Sequence, residues 1–531
     1  MRITATGHAG VFIETAGGTV LCDPWQSPAY FASWFPFPDN SDFDFAALKP
    51  DFLYISHLHH DHFDPLLLAR SVAKSATVLL PDFPTDELQS ALADLGFRSF
   101  VQTRNGETIE LDGLRVMITA MVSPADGPIG DSALSLDDGE ARVLNQNDAR
   151  PPDPERLIAF GEYDGHLLQF SGAIWWPIAY ELPSANMVEF AKRKRLNGMA
   201  RARRFIDAVA ARYVFPTSGP PCFLDEDLFQ YNDFSNSTDN IFPDQSVFLD
   251  YMAAQGLTNG RLLIPGSVAE LTPSGCEVRH VLPDDEVQAI FTEKRAYLEA
   301  YATRQRARLE AEHRSWPGFD GDLLAALGEW FEPLLELGDQ ICAGVGGPVL
   351  LDLGAEKIVI DFTTRKVRGW EGEECRYRFT LDRRLIEALV VGHEIDWVNS
   401  LFLSMRFSAK RRGQYNEYVF TFFKCLSPER MSYAEGWYAE QGSTDDLVRV
   451  GDYHVQRRCP HLKADLSRFG TLIDGVLECG MHGWRFDLAS GRCLTSEGHD
   501  IVAVPVGGPN AAGPPGASVV PGAPGARAII E

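Results

Sequence analysis

Asp51-Phe52-Leu53-Tyr54-Ile55-Ser56-His57-Leu58-His59-His60-Asp61-His62 is the stretch that decides the fold of the first half of this chain. Phe52 through Ile55 is a short apolar run of β-forming residues, the pattern of a buried strand. It runs without a break into His-x-His-x-Asp-His. A tight loop at a strand end turns several ligands toward one point, and mixed imidazole and carboxylate suit iron as well as zinc. A solvated histidine-rich loop is the alternative, but four clustered histidines are hard to place by chance at a buried strand end. His60, at the unconstrained position, is read as exposed or outer to the site.

Around this stretch, short β-rich runs alternate with helical ones. Val11-Phe12-Ile13-Glu14 and Thr19-Val20-Leu21-Cys22 flank Gly17-Gly18, a hairpin signal. Helical periodicity follows near 65–74, 85–95 and 186–213, so residues 1–275 are read as an α/β sandwich. Residues 276–317, strongly helical from Glu286 to Glu312, read as a connector.

A second metal signature lies near the other end. Cys459-Pro460-His461 and Cys479-Gly480-Met481-His482 are separated by residues 462–478. Two thiolates for one iron and two imidazoles for the other is the Rieske arrangement of a [2Fe–2S] cluster, with a potential of roughly −150 to +300 mV. Tetrahedral zinc is the alternative that a Cys₂His₂ composition allows. The continuation Gly483-Trp484-Arg485-Phe486-Asp487 and Ser490-Gly491-Arg492-Cys493 resembles a Rieske ferredoxin domain, here an all-β unit over 445–506. Respiratory Rieske loops carry one extra cysteine each; the corresponding positions are Ala464 and Met481, so the resemblance is to the ferredoxin and oxygenase type.

Between these regions, Val349–Leu353, Lys357–Phe362 and Tyr377–Thr380 read as successive antiparallel strands before a helix over Arg383–Gly392. Residues 318–440 resemble a sterol-carrier-like α+β domain, read as a scaffold between two redox modules, with an apolar pocket as the alternative. Residues 507–531, rich in Gly, Pro and Ala, read as a disordered tail. The length of 531 residues suits about three domains, giving a multidomain α/β and α+β chain. A net charge of −26 argues against nucleic acid or an anionic membrane as partner and is compatible with a basic redox partner. The N-terminus shows no basic-then-apolar leader, and no apolar run reaches membrane-spanning length. Nine cysteines without framework spacing read as a reducing, cytoplasmic setting.

The His57–His62 motif after a strand resembles the metallo-β-lactamase superfamily, which implies an αββα sandwich. In that superfamily the residues matching His57 and His59 serve one metal, and those matching Asp61 and His62 serve its neighbour. The bridging carboxylate falls at Asp148, after Val143-Leu144-Asn145-Gln146-Asn147, with a turn-forming aspartate as the alternative. The superfamily's third and last histidines have no match in Asp126–Asp131 or Pro216–Cys222; Asp126, Asp131 and His166 are candidate substitutes. Thr6-Gly7-His8-Ala9-Gly10 and Asp23-Pro24-Trp25 complete a likeness to the branch containing CMP-N-acetylneuraminate hydroxylase, and add His8 to the catalytic group. There the Rieske domain comes first, whereas here it comes last.

Hydrolysis moves no electrons, so a Rieske cluster beside a hydrolytic site lacks a purpose. Residues 280–445 hold only His280, His313 and His393, without the two-histidine-one-carboxylate iron site of ordinary Rieske oxygenases. The reading is an oxidoreductase: a Rieske-dependent oxygenase that passes electrons to one or two non-haem irons in the first domain, zinc being the other metal. Dioxygen and a small molecule are its substrates, and an external ferredoxin or reductase is the donor. A metal-dependent hydrolase with a redox-sensing Rieske domain, or a non-catalytic carrier, are the competing classes. Electron transfer requires residues 318–440 to fold back as a spacer within one chain, or a head-to-tail homodimer. The arginines 193, 195, 201 and 203 are read as a solvated helix face rather than a phosphate site.

Overall fold

The computed structural model describes residues 1–125, 129–172, 174–234, 240–440, 446–461, 463–481 and 483–506. Asp126, the assignment of His482 as a cluster ligand, and the 507–531 tail lie outside the described residues.

The first region opens with β1 (Arg2–Gly7), β2 (Gly10–Thr15), β3 (Gly18–Cys22), β4 (Phe52–Tyr54), β5 (Thr77–Leu80) and β6 (Phe100–Gln102). It continues with β7 (Thr108–Leu111), β8 (Leu114–Met121), β9 (Asp131–Asp137), β10 (Arg142–Asn147), β11 (Gly165–Gln169) and β12 (Tyr213–Thr217), and closes with β13 (Val268–Thr272) and β14 (Gly275–Arg279). They form an eight-stranded sheet, β14-β13-β1-β2-β3-β4-β5-β6, and a six-stranded sheet, β12-β11-β10-β9-β8-β7. Alternate side chains face inward, so Ile3, Val11, Ile13 and Val20 of one sheet meet Val116, Ile118, Leu134 and Leu136 of the other. Each buried aliphatic contributes roughly 1.5–3 kcal/mol, which makes this interface the main stabilising element of the region. Leu68, Leu88 and Leu92 of helices Pro65–Ser71 and Glu87–Asp94 cover the first sheet outside. Helices Pro154–Phe160 and Ser184–Val209 cover the second, completing the αββα sandwich. Because β14 pairs with β13, the first sheet continues past residue 275 to Arg279 before helices Asp284–Thr292 and Lys294–Ser315 begin.

The middle sheet, β17-β16-β15-β18-β19, uses β15 (Pro348–Asp352), β16 (Lys357–Asp361), β17 (Lys366–Gly369), β18 (Tyr377–Leu381) and β19 (Phe407–Arg411). The expectation of successive antiparallel strands fails at one place: β15 and β18 pair in parallel. The sequence reading missed β17, whose extra reversal sends the chain back across the sheet before β18 begins. Phe331, Phe379, Phe402 and Phe420 share a core with Trp25, Tyr30 and Trp175 of the first region, so the two are packed together.

The last region is a β domain with one helical turn (Leu466–Phe469), two small sheets β20-β21-β25 and β22-β23-β24 built from β20 (Leu447–Val450), β21 (Tyr453–Gln456), β22 (Gly470–Ile473), β23 (Val476–Cys479), β24 (Trp484–Asp487) and β25 (Ala503–Pro505). Its core of Val455, Leu466, Leu477 and Phe486 merges with Phe205 and Ile206 of helix Ser184–Val209. Arg458–Asp153, at 2.6 Å, and Arg468–Glu155 add ion pairs between this region and the start of helix Pro154–Phe160. Among the described residues no helix is long and apolar enough to cross a membrane.

Candidate metal centres

The first site forms where β4 ends. Ile55 and Ser56 carry the chain out of the sheet, and Ser56 is pinned by Asp23, whose Oδ1 accepts from the Ser56 N–H (2.7 Å) and Oδ2 from its hydroxyl (2.7 Å). Asp23 Oδ2 also lies 3.0 Å from His62 Nδ1, so one fully buried carboxylate holds both ends of the loop. The β1–β2 turn delivers His8. Gly7 takes a φ of +118°, and a Cβ there would come within 2.8 Å of Asn40 Nδ2, so the turn needs glycine.

The partners of His57 and His59 fix which of their nitrogens face inward. His57 Nδ1 lies 3.2 Å from Asp131 Oδ1, a carboxylate that can only accept. His59 Nε2 lies 2.7 Å from Asn399 Oδ1, and the Asn399 Nδ2 donates to Asp396 Oδ2 (2.9 Å), which sets the amide's orientation. Both outer nitrogens therefore carry hydrogens, leaving the lone pairs of His57 Nε2 and His59 Nδ1 facing each other at 2.7 Å. Two lone pairs at that separation repel unless a proton or a metal ion lies between them. Two metal–nitrogen bonds of about 2.0–2.1 Å near a right angle span roughly 3 Å, so the pair fits a shared metal.

Two further groups converge beside it: His57, His62 and Asp148, and His8, Asp61 and His62, the ligand atoms of each lying within 4.8 Å of one another. His62 Nε2 is 3.5 Å from Asp148 Oδ1 and 3.8 Å from Asp61 Oδ2, and both Nε2 and Oδ1 are buried without a hydrogen-bond partner. Asp61 also receives His8 Nε2 (2.9 Å) and the Tyr30 hydroxyl (2.5 Å). Burial disfavours the ionised Asp61, but His62 and His8 outweigh it and hold the carboxyl well below its usual range. Asp148 is held to about 2, against its burial, by His62. Burial and then His57 push His59 down to about 3, so its imidazole is neutral and able to coordinate.

The structure thus brings His8, His57, His59, Asp61, His62 and Asp148 together. Among the proposed substitutes, Asp131 supports His57 from its outer side, and His166 is turned away to Gln146 Oε1 (2.8 Å). His60 is exposed and stacks on Tyr30. Asn399, from the middle domain, was not foreseen. It is anchored by Asp396, which pairs with Arg430 (2.7 Å), which in turn pairs with Glu87 of the first domain. A lone asparagine 340 residues from its partner histidine leaves no local signal.

At the second site, Cys459 and Cys479 are fully buried and their thiols adjoin; burial and this proximity raise the Cys459 thiol well above its ordinary value. Two thiols left so placed are costly, and a metal that binds them as thiolates removes that cost. Backbone bonds shape the loops: Cys459 N–H to Ala464 O (2.9 Å), Gly480 N–H to Phe469 O (2.7 Å) and Gly483 N–H to Cys479 O (2.7 Å). His461 stacks on Trp484 with ring centres 4.3 Å apart. Its Nε2 lies 3.2 Å from Oε2 of Glu417, a buried middle-domain residue whose carboxyl is pushed up to about 7 by burial. Glu417 also accepts the Tyr438 hydroxyl (2.9 Å). Sequence reasoning missed Glu417, as it did Asn399.

Both loops border helix Ser184–Val209. Arg204 donates to Gly480 O, and a Cβ at Gly480 would collide with that guanidinium. Arg201 contacts Met481 O at 3.5 Å; burial and then Arg150 hold its guanidinium well below its usual range, and the Asp148 carboxylate only partly offsets them. The expected solvated arginine face is corrected here. Arg193 is exposed and Arg203 pairs with Asp207, but Arg195 (4 % exposed) and Arg201 (9 %) are buried, because the Rieske loop and residues around Asp233 pack on that side.

Fold and sites define a metallo-β-lactamase-fold, metal-binding domain joined through an SCP2-like domain to a Rieske [2Fe–2S] domain. Residues 2–124 match the β-lactamase superfamily domain, 323–440 the Rv3818-like, SCP2-like domain, and 447–505 the Rieske [2Fe–2S] domain. The chain belongs to the family of Rv3818 of Mycobacterium tuberculosis, named as a Rieske 2Fe-2S iron-sulfur protein. The two are 49 % identical over 511 residues, covering 94 % of this chain and 99 % of that one. A Mycolicibacterium smegmatis relative of the same description is 48 % identical over 515 residues, with 94 % and 99 % covered. Among solved structures, the diiron β-hydroxylase CmlA of Streptomyces venezuelae is 21 % identical, covering 53 % of this chain and 54 % of that one, with a TM-score of 0.35.

Proposed function

We propose that this protein is a Rieske-dependent non-haem iron oxygenase acting on a small molecule with dioxygen, with an external ferredoxin or reductase as electron donor. The observation that carries this reading is that helix Ser184–Val209 packs against the cluster loop while the charge of Asp148, in the first site, acts on its Arg201. Arg204 and Arg201 hold the Gly480 and Met481 carbonyls of the cluster loop, and Arg201 lies in the field of Asp148. An intrachain route for electrons needs the two centres to approach, and a head-to-tail homodimer is the alternative route. When bound, a [2Fe–2S] cluster held by Cys459, His461, Cys479 and His482 supplies single electrons, and iron held by His57, His59, Asp61, His62 and Asp148, with His8 beside Asp61, supplies dioxygen chemistry.

The chain's own residues have separate tasks. Asp131 and Asn399 fix the tautomers of His57 and His59, and Asp23 fixes that of His62. Tyr30, whose hydroxyl is kept protonated by burial and by the Asp61 charge, donates its proton to Asp61 Oδ1 and restrains that carboxylate. Glu417 Oε2 lies 3.2 Å from His461 Nε2 and sets the middle domain against the cluster loop.

Assay of iron, zinc and acid-labile sulfide in anaerobically purified protein tests the reading. Iron in excess of the two per labile-sulfide pair supports it. Zinc in the first site favours a hydrolase with a redox-sensing Rieske domain, and a first site without metal favours an electron carrier.

A further inference from the structure

Helix Ser184–Val209 borders a cavity whose walls include Ser171, Lys194, Arg201, Arg204, Met481 and Gly483. Its charge is unbalanced. Arg201 is 9 % exposed, and among the described residues its guanidinium makes one hydrogen bond, a long one of 3.5 Å to the Met481 carbonyl. Arg204 donates to Gly480 O, and the guanidinium of Arg150, whose charge is felt by both Lys194 and Arg201, bonds among the described residues the neutral Gln169 Oε1, at 3.3 Å. Among the described residues, none of Arg150, Lys194, Arg201 and Arg204 has a carboxylate within ion-pair distance, and Asp148 acts on Arg201 only from farther away. Glu478 on the same wall pairs with none of them. Arg195, which also borders the cavity, shows the contrast: it is neutralised by Asp233 at 2.6 Å.

A buried guanidinium without an anion is costly, and a chain with 74 acidic residues and a net charge of −26 has no shortage of carboxylates to offer it. The cations also repel one another: burial and then Arg201 and Arg150 push the Lys194 ammonium down to about 7. Such a cluster persists where a ligand supplies the missing negative charge. We propose that this cavity binds the phosphate-like, multiply charged oxyanion group of a small-molecule ligand, with Arg201 and Lys194 as its main contacts. Arginine suits the role because its planar fork donates two parallel hydrogen bonds to an oxyanion. The proposal goes beyond the oxygenase reading and does not depend on it, since the cations are there whichever metal the first site takes.

The test is equilibrium binding of inorganic phosphate to the metal-loaded full chain, by calorimetry, at an ionic strength held constant with sodium chloride. Wild type should bind phosphate saturably at one site. Arg201→Met and Lys194→Met should each weaken binding at least tenfold, while Arg193→Met, an equal charge loss at an exposed position of the same helix, should leave it within twofold. The visible spectrum of the cluster and the first-site metal content report whether each variant is folded. Arg201→Lys, which keeps the charge, serves if Arg201→Met loses its cluster, and should bind more weakly than wild type. No saturable phosphate binding by wild type would overturn the proposal. So would equal losses in Arg193→Met and Arg201→Met, or a change in cluster potential in Arg201→Met with phosphate affinity unaltered, which would assign the cations to the cluster alone.

Discussion

Replacing Glu417 by glutamine should raise the midpoint potential of the Rieske cluster. The Glu417 carboxylate lies 3.2 Å from His461 Nε2, it is 3 % exposed, and glutamine keeps its shape while removing its charge. An anion close to the cluster favours the oxidised, more positive state and lowers the potential, so its removal raises it. With the imidazole ring and a metal–nitrogen bond of about 2 Å intervening, the carboxylate stands roughly 7 Å from the nearer iron. At an effective dielectric constant of about 20, the interaction is on the order of 2 kcal/mol. For a one-electron couple, at 59 mV per tenfold, that is roughly 100 mV. Burial pushes Glu417 up to about 7, so the carboxylate is ionised at pH 8.5 and largely neutral at pH 6. The gap between variant and wild type should therefore approach its full size at pH 8.5 and shrink toward pH 6. Protein-film voltammetry across this range measures it. Potentials that agree within about 20 mV at pH 8.5 would refute the reasoning, since the buried carboxylate would then carry no charge the cluster can sense.

Three further outcomes follow from the same geometry. Asn399→Ala removes the acceptor for His59 Nε2 and should lower first-site metal affinity by roughly 10–100-fold in chelator competition, with the Rieske spectrum intact. Arg430→Met leaves the Asp396 carboxylate buried without its cation and should destabilise the chain by about 3 kcal/mol in denaturant titration, loosening Asn399 with it. Cys479→Ala should abolish the visible absorption and the low-temperature electron-spin signal of the reduced cluster while first-site metal is retained, because the two ligand sets stand on separate sheets.

The parts of this molecule legible in the sequence are those whose chemistry is local. The Phe52–Tyr54 strand and the His57–His62 loop are contiguous, and a buried strand running into clustered ligands can be read from a dozen residues. The cysteine pairs are equally compact, and the hairpin of β2 and β3 announces itself by Gly17-Gly18. What escaped is what the tertiary fold alone assembles. His8 was included for its resemblance; that it joins Asp61 and His62 depends on the β1–β2 turn. Asn399 and Glu417 are single polar residues in a domain read as a scaffold, yet each reaches a histidine of a different centre. The arginines of helix Ser184–Val209 have the spacing of a solvated face, and only the docking of the Rieske loop buries Arg201. The parallel pairing of β15 with β18 was lost because β17, four residues with two exposed, has too weak a pattern to register as a strand.

The central claim is that the cluster feeds electrons to the metal at His57–His62, and rapid mixing of the reduced protein with dioxygen tests it most directly. Cluster reoxidation is followed by its visible absorption in wild type and in His59→Ala, a variant that removes one of the two facing imidazoles 2.7 Å apart and leaves the Rieske loops untouched. Fast reoxidation in wild type, lost in His59→Ala while the cluster spectrum is unchanged, is the expected result. Equal rates in the two proteins would show that electrons leave the cluster without passing through this site, and would contradict the oxygenase reading.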